Sequence, residues 1–105
     1  MLIVSLLYLI HLALPLVLKS PKDVNATLDQ TITLTCKATG KPVPTTTWLK
    51  NGKPILNTKV AASQLVLPSL TAEDDGIYQC QFNNVVGHTL SDPCRVKVYC
   101  KYLNK

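Results

Sequence analysis

The chain has few of the side chains that enzymes use for catalysis. Its 105 residues include two histidines, six acidic residues and four glycines. His11 lies in an apolar segment, and His88 lies in a predicted hairpin. The adjacent carboxylates of Asp74 and Asp75 would point to opposite faces of an extended strand. Because no nucleophile, base and orienting group come together, and no glycine loop could cradle a phosphate, we expect no enzymatic activity and no cofactor.

Metal-ligand spacing and nucleic-acid-binding patterns are also missing. The four cysteines include no C-x-x-C pair, and the two histidines are too far apart for a helical ligand pair, so we expect no metal site. The net charge is +5, but the lysines are dispersed and no aromatics are interleaved with them. This pattern indicates a solvated surface and disfavours nucleic-acid binding. Arg95, Lys97 and Lys101 share strand parity, which leaves an acidic glycan as a weaker candidate partner.

Charge is absent from the first eighteen residues, where Leu, Ile and Val dominate. We interpret residues 1–20 as a hydrophobic leader, because the run is too apolar for the edge of a small sandwich. A secretory signal peptide is the first interpretation, and a signal anchor or a wrongly assigned start are the others. No Lys or Arg precedes the run, and it has no clean small-x-small cleavage site. The leader, or an anchor outside this sequence, would be the only membrane contact.

From Lys22 onward the sequence consists of short strand patterns separated by turn residues, without a helical period. The clearest strand is 31–38, where Ile32, Leu34 and Cys36 face one side and threonines the other. Asn51-Gly52 predicts a tight hairpin. The last strand is predicted over 88–99, with an interruption near Asp92-Pro93. These patterns predict an all-β domain at residues 21–99, followed by a tail at 100–105.

Five ordered segments give the chain a resemblance to the intermediate set (I-set) of the immunoglobulin superfamily over about residues 21–98. Each segment is weakly diagnostic alone, whereas their order and spacing together are specific. The resemblance implies a two-sheet, immunoglobulin-like Greek-key sandwich with an inter-sheet disulfide. The segments are Leu34-Thr35-Cys36-Lys37-Ala38, Gly40-Lys41-Pro42-Val43-Pro44 with Trp48-Leu49-Lys50-Asn51-Gly52, Leu65-Val66-Leu67 with Leu70, Asp74-Asp75-Gly76-Ile77-Tyr78-Gln79-Cys80, and Asn84-Val85-Val86-Gly87.

The resemblance assigns mainly structural roles. It implies that Cys36 and Cys80 bridge the sheets, that Trp48 packs on this bridge and that Tyr78 hydrogen-bonds to backbone near residue 72 or 74. It also implies an ion pair between Asp74 and a basic residue, for which Lys59 is the candidate. The stretch between Trp48 and Leu65 is short for this set, so we expect truncated middle strands. The expected core also contains Leu34, Leu65 and Leu67.

The remaining cysteines and one sequon bear on the compartment. Four cysteines in a small chain favour an oxidising environment, although reduced, buried thiols inside a cell are the alternative. In an extended strand Cys94 and Cys100 would lie about 20 Å apart, too far for a bond. We expect Cys94 to be buried and Cys100 to lie past the sandwich. Asn25-Ala26-Thr27 is a glycosylation sequon, conditional on secretion.

The resemblance implies an extracellular module that binds another protein in adhesion or receptor-type recognition. The expected surfaces are the 83–89 hairpin, the 41–44 loop and the sheet face around Lys50 and Lys97, because sandwiches bind through loop ends and sheet faces. The alternative is a spacer domain from a longer adhesion, matrix or titin-like protein. The candidate contact residues are Asn83, Asn84, Val85, Val86 and His88.

Overall fold

The computed structural model describes residues 11–56, 60–61 and 63–100. Within these ranges the chain forms short β-strands and one 3-10 turn at Ala72–Asp74. No helix in the described ranges has the length and apolar character needed to cross a bilayer. The strands are β1 Ala13–Lys19, β2 Val24–Thr27, β3 Ile32–Thr35, β4 Lys37–Lys41, β5 Thr45–Lys50, β6 Lys53–Pro54, β7 Val60–Ala61, β8 Gln64–Leu67, β9 Gly76–Asn83, β10 His88–Leu90 and β11 Cys94–Tyr99.

The strands form two main layers. The larger sheet has the order β2-β11-β9-β5-β6, with β10 also paired to β9, and the smaller sheet has the order β3-β8-β7. β1 pairs with β4, the continuation of β3 beyond Cys36. The pairing of β2 with β11 is parallel, and the other pairings are antiparallel. The predicted all-β, two-sheet sandwich is confirmed.

The core follows from strict alternation along the strands. In β9, every second residue from Gly76 to Phe82 is buried, and the intervening residues face outward. Cys36 and Cys80 form the predicted disulfide between the layers. Trp48 is fully buried in the same cluster, and Leu67 packs against it from a partly buried position. The buried cluster comprises Leu34, Cys36, Trp48, Leu65, Tyr78, Cys80, Phe82, Cys94 and Val96.

The first strand lies in the segment that the sequence analysis assigned to the leader. In β1, Pro15 is buried and Val17 packs on the core, while Leu14, Leu16 and Leu18 beside them are exposed. The segment is therefore not too apolar for the edge of this sandwich, and the folded unit begins before residue 21. The backbone groups on the free edge of β4 explain this, since β1 satisfies them by pairing. A leader function stays a prediction, and residues 1–10 lie outside the described ranges.

The middle and the end of the domain match their predictions. Asn51 and Gly52 have φ values of 51° and 81°, as a tight hairpin turn requires, and β6 after them is only two residues long. The last strand is interrupted between β10 and β11. There Ser91 is buried, its hydroxyl accepts the Cys80 N–H at 2.9 Å, and its own N–H donates to the Cys80 carbonyl. Ser91 therefore keeps the backbone paired across the break.

Candidate functional site

One end of the sandwich brings together the start of β1, the 41–44 loop and the hairpin between β9 and β10. Asn84 connects all three. Its side-chain nitrogen donates to the carbonyls of Ala13 at 2.8 Å and Pro42 at 3.0 Å. Its side-chain oxygen accepts the N–H groups of Val86 at 2.9 Å and Gly87 at 3.2 Å. Both ends of the amide are thus used inside the chain, so Asn84 organises this site and is poorly placed to contact a partner.

Apart from Lys41, the exposed part of this end is mainly apolar. Val43 is 85% exposed and Val85 is 79% exposed, and Val86 beside it is also exposed. Together with the exposed Pro42 they form what we call the loop-end patch. Three residues of the patch, Pro42, Val43 and Val85, also line a shallow hollow, together with Asn83. Of the other predicted contact residues, Asn83 is half-buried at the end of β9, and His88 is exposed at the start of β10.

Strand β1 contacts the hairpin between β9 and β10 and supports it. The Thr89 hydroxyl donates to the carbonyl of Pro15 at 2.7 Å. Gly87 lies against Leu14 so closely that a Cβ atom there would be 2.7 Å from a methyl group of Leu14. The hairpin is consequently held by polar and apolar contacts to a strand that the sequence analysis did not assign to the domain.

The opposite end contains the predicted tyrosine bond. The Tyr78 hydroxyl donates to the carbonyl of Asp74 at 2.7 Å, as expected, and burial raises the pKa of Tyr78 to about 12. The Asp74 carboxylate accepts the N–H of Thr71 at 2.8 Å and closes the 3-10 turn. Lys59 lies outside the described ranges, so its ion pair with Asp74 stays a prediction.

A family model described as "Immunoglobulin domain" matches residues 15–84, a range that includes most of β1 and ends at Asn84. The chain belongs to the immunoglobulin domain family. This domain is 37% identical over 83 residues to "Peroxidasin homolog pxn-2" of Caenorhabditis elegans, a match that covers 73% of the chain and 6% of that protein. It is 38% identical over 73 residues to human "Contactin-2", covering 67% of the chain and 7% of that protein.

A solved structure agrees with these relatives. The "N-terminal Ig1-2 module of Drosophila Receptor Protein Tyrosine Phosphatase DLAR" has a TM-score of 0.78 and 26% identity, covering 86% of this chain and 48% of that one. The immunoglobulin domain spans less than a tenth of the length of the two curated relatives. Immunoglobulin domains are typically not enzymes, and they are typically used for binding.

Asp75 has a role that the sequence analysis missed. Its carboxylate forms an ion pair with Arg95 at 2.5 Å and accepts the N–H of Val98 at 2.9 Å. The Val98 N–H, with Arg95 beside it, lowers the pKa of Asp75. The signal in the sequence is that Asp74 and Asp75 are adjacent, because adjacent side chains of an extended chain point to opposite sides and contact different residues. Arg95 is thereby partly neutralised. Lys101, which shares strand parity with Arg95 and Lys97 in the sequence, lies outside the described ranges.

The two extra cysteines are free thiols in this immunoglobulin domain. Cys94 is buried on the inner face of β11, as expected, and burial raises the pKa of its thiol to about 11. Cys100 is half-buried just after β11.

Asn25 is exposed on β2 beside Lys97, which leaves its side chain accessible. Among the described residues, no cluster of His, Cys, Asp or Glu could hold a metal ion.

Proposed function

We propose that this immunoglobulin domain is an extracellular I-set module that binds another protein through the loop-end patch, in adhesion or receptor-type recognition. The observation that carries the proposal is the pair of exposed valines, Val43 and Val85, on loops that Asn84 holds in place. The centres of protein interfaces are depleted of charge, and the loop-end patch has no charged side chain. A preorganised loop also loses less conformational entropy on binding than a free one.

The extracellular part of the proposal rests on the Cys36–Cys80 disulfide, because such bonds persist mainly in oxidising compartments. The similar Drosophila structure is a module of a receptor, which is consistent with an extracellular location. Export directed by the hydrophobic leader and a glycan on Asn25 belong to the same proposal, with β1 kept in the exported chain because Asn84 bonds to Ala13. Export would expose the Asn25 sequon to glycosylation, and Asn25 is exposed on β2.

The second candidate function is that of a spacer domain in a longer protein. The observation that favours it is the length of the two curated relatives: this domain matches only 6% and 7% of them, so in those proteins it is one segment of a much longer chain. Glycan binding is the weaker alternative. Of the three basic residues that share strand parity, Arg95 already pairs with Asp75 and Lys101 lies outside the described ranges, so Lys97 is the exposed cation left to contact a glycan.

A triple variant, Val43→Ser with Val85→Ser and Val86→Ser, tests the loop-end patch. The full chain is displayed on beads, and binding to cells and to other coated beads is measured. We expect at least about a tenfold loss of binding, since loss of central apolar contacts commonly removes about 1.4 kcal/mol or more. The matched control is Ile77→Ser with Leu90→Ser, which removes exposed apolar side chains from the sheet face.

The outcomes separate the candidates. Unchanged binding by the triple variant, together with loss in the control, would assign recognition to the sheet face and refute the patch. Absence of binding by the unmodified domain to both kinds of surface would favour the spacer. Binding that heparin abolishes, and that Lys97→Gln weakens, would favour the glycan alternative.

A further inference from the structure

The sequon asparagine lies on the outward face of β2, beside two exposed side chains of β11. Val24 packs against the core and Ala26 is buried, whereas Asn25 between them is exposed. In the parallel register of the two strands, Asn25 is opposite Lys97, and Tyr99 follows two residues further along β11. Because side chains alternate along a strand, Lys97 and Tyr99 lie on the same outward face as Asn25.

Tyr99 is fixed by its backbone, and its ring is open to solvent. Its carbonyl accepts the N–H of Leu28 at 2.9 Å, while its side chain is 42% exposed. The ammonium nitrogen of Lys97 lies over the ring, 5.3 Å from the ring centroid. One face of the ring is therefore turned toward Lys97, the residue opposite Asn25. A cation over an exposed ring is a weak contact, so another group can share this face or replace the lysine there.

We propose that the first N-acetylglucosamine of a glycan on Asn25 packs on the Tyr99 ring and holds the glycan against the edge of the larger sheet. This inference rests on the proposed function, because only an exported chain is glycosylated. The C–H groups on one side of the sugar are weakly positive and pack on the negative face of the aromatic ring. The acetyl carbonyl accepts a hydrogen bond from the Lys97 ammonium.

The covalent step is the ordinary transfer from a lipid-linked oligosaccharide donor. The side-chain nitrogen of Asn25 bonds to the anomeric carbon of the sugar, the lipid pyrophosphate leaves with the electrons of the broken bond, and the amide proton goes to solvent. Asn25-Ala26-Thr27 is the single sequon of the sequence. A sugar found on the exported protein at a sequon therefore identifies this asparagine.

Two further observations favour a sugar in this place. Within the described ranges β2 pairs only with β11, so its other edge is free, and a bulky polar glycan protects such an edge from pairing with another chain. The other diagonal neighbour of Asn25 on β11 is Arg95, which is held by its ion pair with Asp75. Tyr99 is thus the neighbour whose side chain remains open to a new contact.

The glycan would lie far from the loop-end patch. Val96, one residue before Lys97, is opposite Gly76 at the start of β9, whereas the hairpin follows Asn83 at the other end of that strand. Seven residues of extended strand span about 23 Å. A sugar on Asn25 consequently leaves the loop-end patch free, and it covers Lys97, the cation that the glycosaminoglycan alternative requires.

The test compares glycosylated and glycan-free forms of the same full chain. The glycosylated form is secreted from cultured animal cells and trimmed by an endoglycosidase to one N-acetylglucosamine, and mass spectrometry measures the occupancy of Asn25. The glycan-free form comes from the periplasm of a bacterium that lacks N-glycosylation, where disulfides still form. Chemical denaturation gives the folding equilibrium constant of both forms for wild type, Tyr99→Thr, Tyr99→Phe and the control Leu90→Thr, which removes another exposed apolar side chain of the same sheet.

We expect the single sugar to raise the folding equilibrium constant of wild type about fivefold, the size of a good cross-strand aromatic contact. Tyr99→Thr keeps a residue that suits a strand and should lose this gain, whereas Tyr99→Phe and Leu90→Thr should retain it. In the proton NMR spectrum, the ring current of Tyr99 should move the acetyl methyl signal of the sugar upfield in wild type but not in Tyr99→Thr. The intact disulfide and unchanged emission of the buried Trp48 confirm that each variant has folded.

The outcomes separate this contact from the proposed function. An equal gain in wild type and Tyr99→Thr, or an unshifted acetyl methyl signal in wild type, would overturn the contact and leave export and glycosylation intact. An unmodified Asn25 in the secreted protein would overturn both the contact and the glycan of the proposed function. Binding through the loop-end patch is measured by its own variants and does not depend on either result.

Discussion

The side-chain amide of Asn84 donates a 2.8 Å hydrogen bond to the carbonyl of Ala13, seventy-one residues earlier in the chain. The same amide reaches the carbonyl of Pro42 and the N–H groups of its own hairpin. One side chain thereby links β1, the 41–44 loop and the hairpin.

Asn84→Ala should reduce the free energy of unfolding by about 0.5–1.5 kcal/mol, because it removes the hydrogen bonds that link β1, the 41–44 loop and the hairpin, and water can replace these exposed bonds only in part. Val85→Ala, one residue away, removes a side chain that is mostly exposed and should change stability by less than about 0.5 kcal/mol. Chemical denaturation of the two variants measures the difference. Equal stability would mean that water replaces the Asn84 bonds without cost.

The membership of β1 in the folded domain can be tested with two neighbouring residues. Val17 packs against the core, whereas Leu18 is exposed. Val17→Asp should therefore destabilise the protein by at least about 1 kcal/mol, since it places a carboxylate against apolar side chains. Leu18→Asp carries the same charge at the next position and should have little effect.

Thermal unfolding of both variants provides the measurement. Equal effects would indicate that β1 is detached in solution. Mass spectrometry of the exported protein gives an independent check, because cleavage after residue 19 would remove β1. A mature chain that begins after residue 19 and still folds with unchanged stability would contradict the structural role of this strand.

Much of the fold was predictable because the core signals are local. Alternation around Cys36 and around Tyr78 specifies which face of each strand is buried, and Asn51-Gly52 specifies the turn. The role of β1 was not predictable in this way. An unbroken apolar run has no period of two, so the sequence contains no sign that Pro15 and Val17 face inward.

The candidate site was predictable only as a region. The sequence indicated the hairpin and the 41–44 loop, but it could not distinguish Asn83 from Asn84. Their different roles depend on contacts with Ala13 and Pro42, which are distant in the chain. Asp75 was missed for the same reason, since its partners Arg95 and Val98 follow it by about twenty residues.

Asp75→Asn should destabilise the protein in a pH-dependent manner. The Val98 N–H and Arg95 lower the pKa of Asp75 in the folded state below its usual value. A carboxylate of this kind stabilises the fold above its unfolded pKa of about 3.9, and this stabilisation disappears as the pH falls through the lower folded pKa. The difference in unfolding free energy between wild type and variant should thus be constant near neutral pH and shrink in acid.

Unfolding measured from about pH 7 down to about pH 2 gives this profile, since that range spans the usual carboxylate pKa. Glu73→Gln is the matched control, because it neutralises an exposed carboxylate in the neighbouring 3-10 turn. A difference between wild type and Asp75→Asn that does not change with pH would show that the carboxylate charge is not what stabilises this corner.

The two free thiols should differ sharply in reactivity. Alkylation requires the thiolate, and burial both shields Cys94 and raises the pKa of its thiol to about 11. Near pH 8 only about one Cys94 thiol in a thousand would be ionised. Iodoacetamide should accordingly modify Cys100 in the native protein, and Cys94 only after the domain unfolds.

Peptide mapping after timed labelling measures both rates, and Cys36 and Cys80 serve as internal controls that react only after reduction. Adding denaturant and iodoacetamide without reductant should make the Cys94 thiol reactive and leave the Cys36–Cys80 disulfide intact. Equal labelling of Cys94 and Cys100 in the native protein would mean that β11 separates from β9 in solution. The packing of Val96 against the core would then be transient, contrary to its complete burial in the structure.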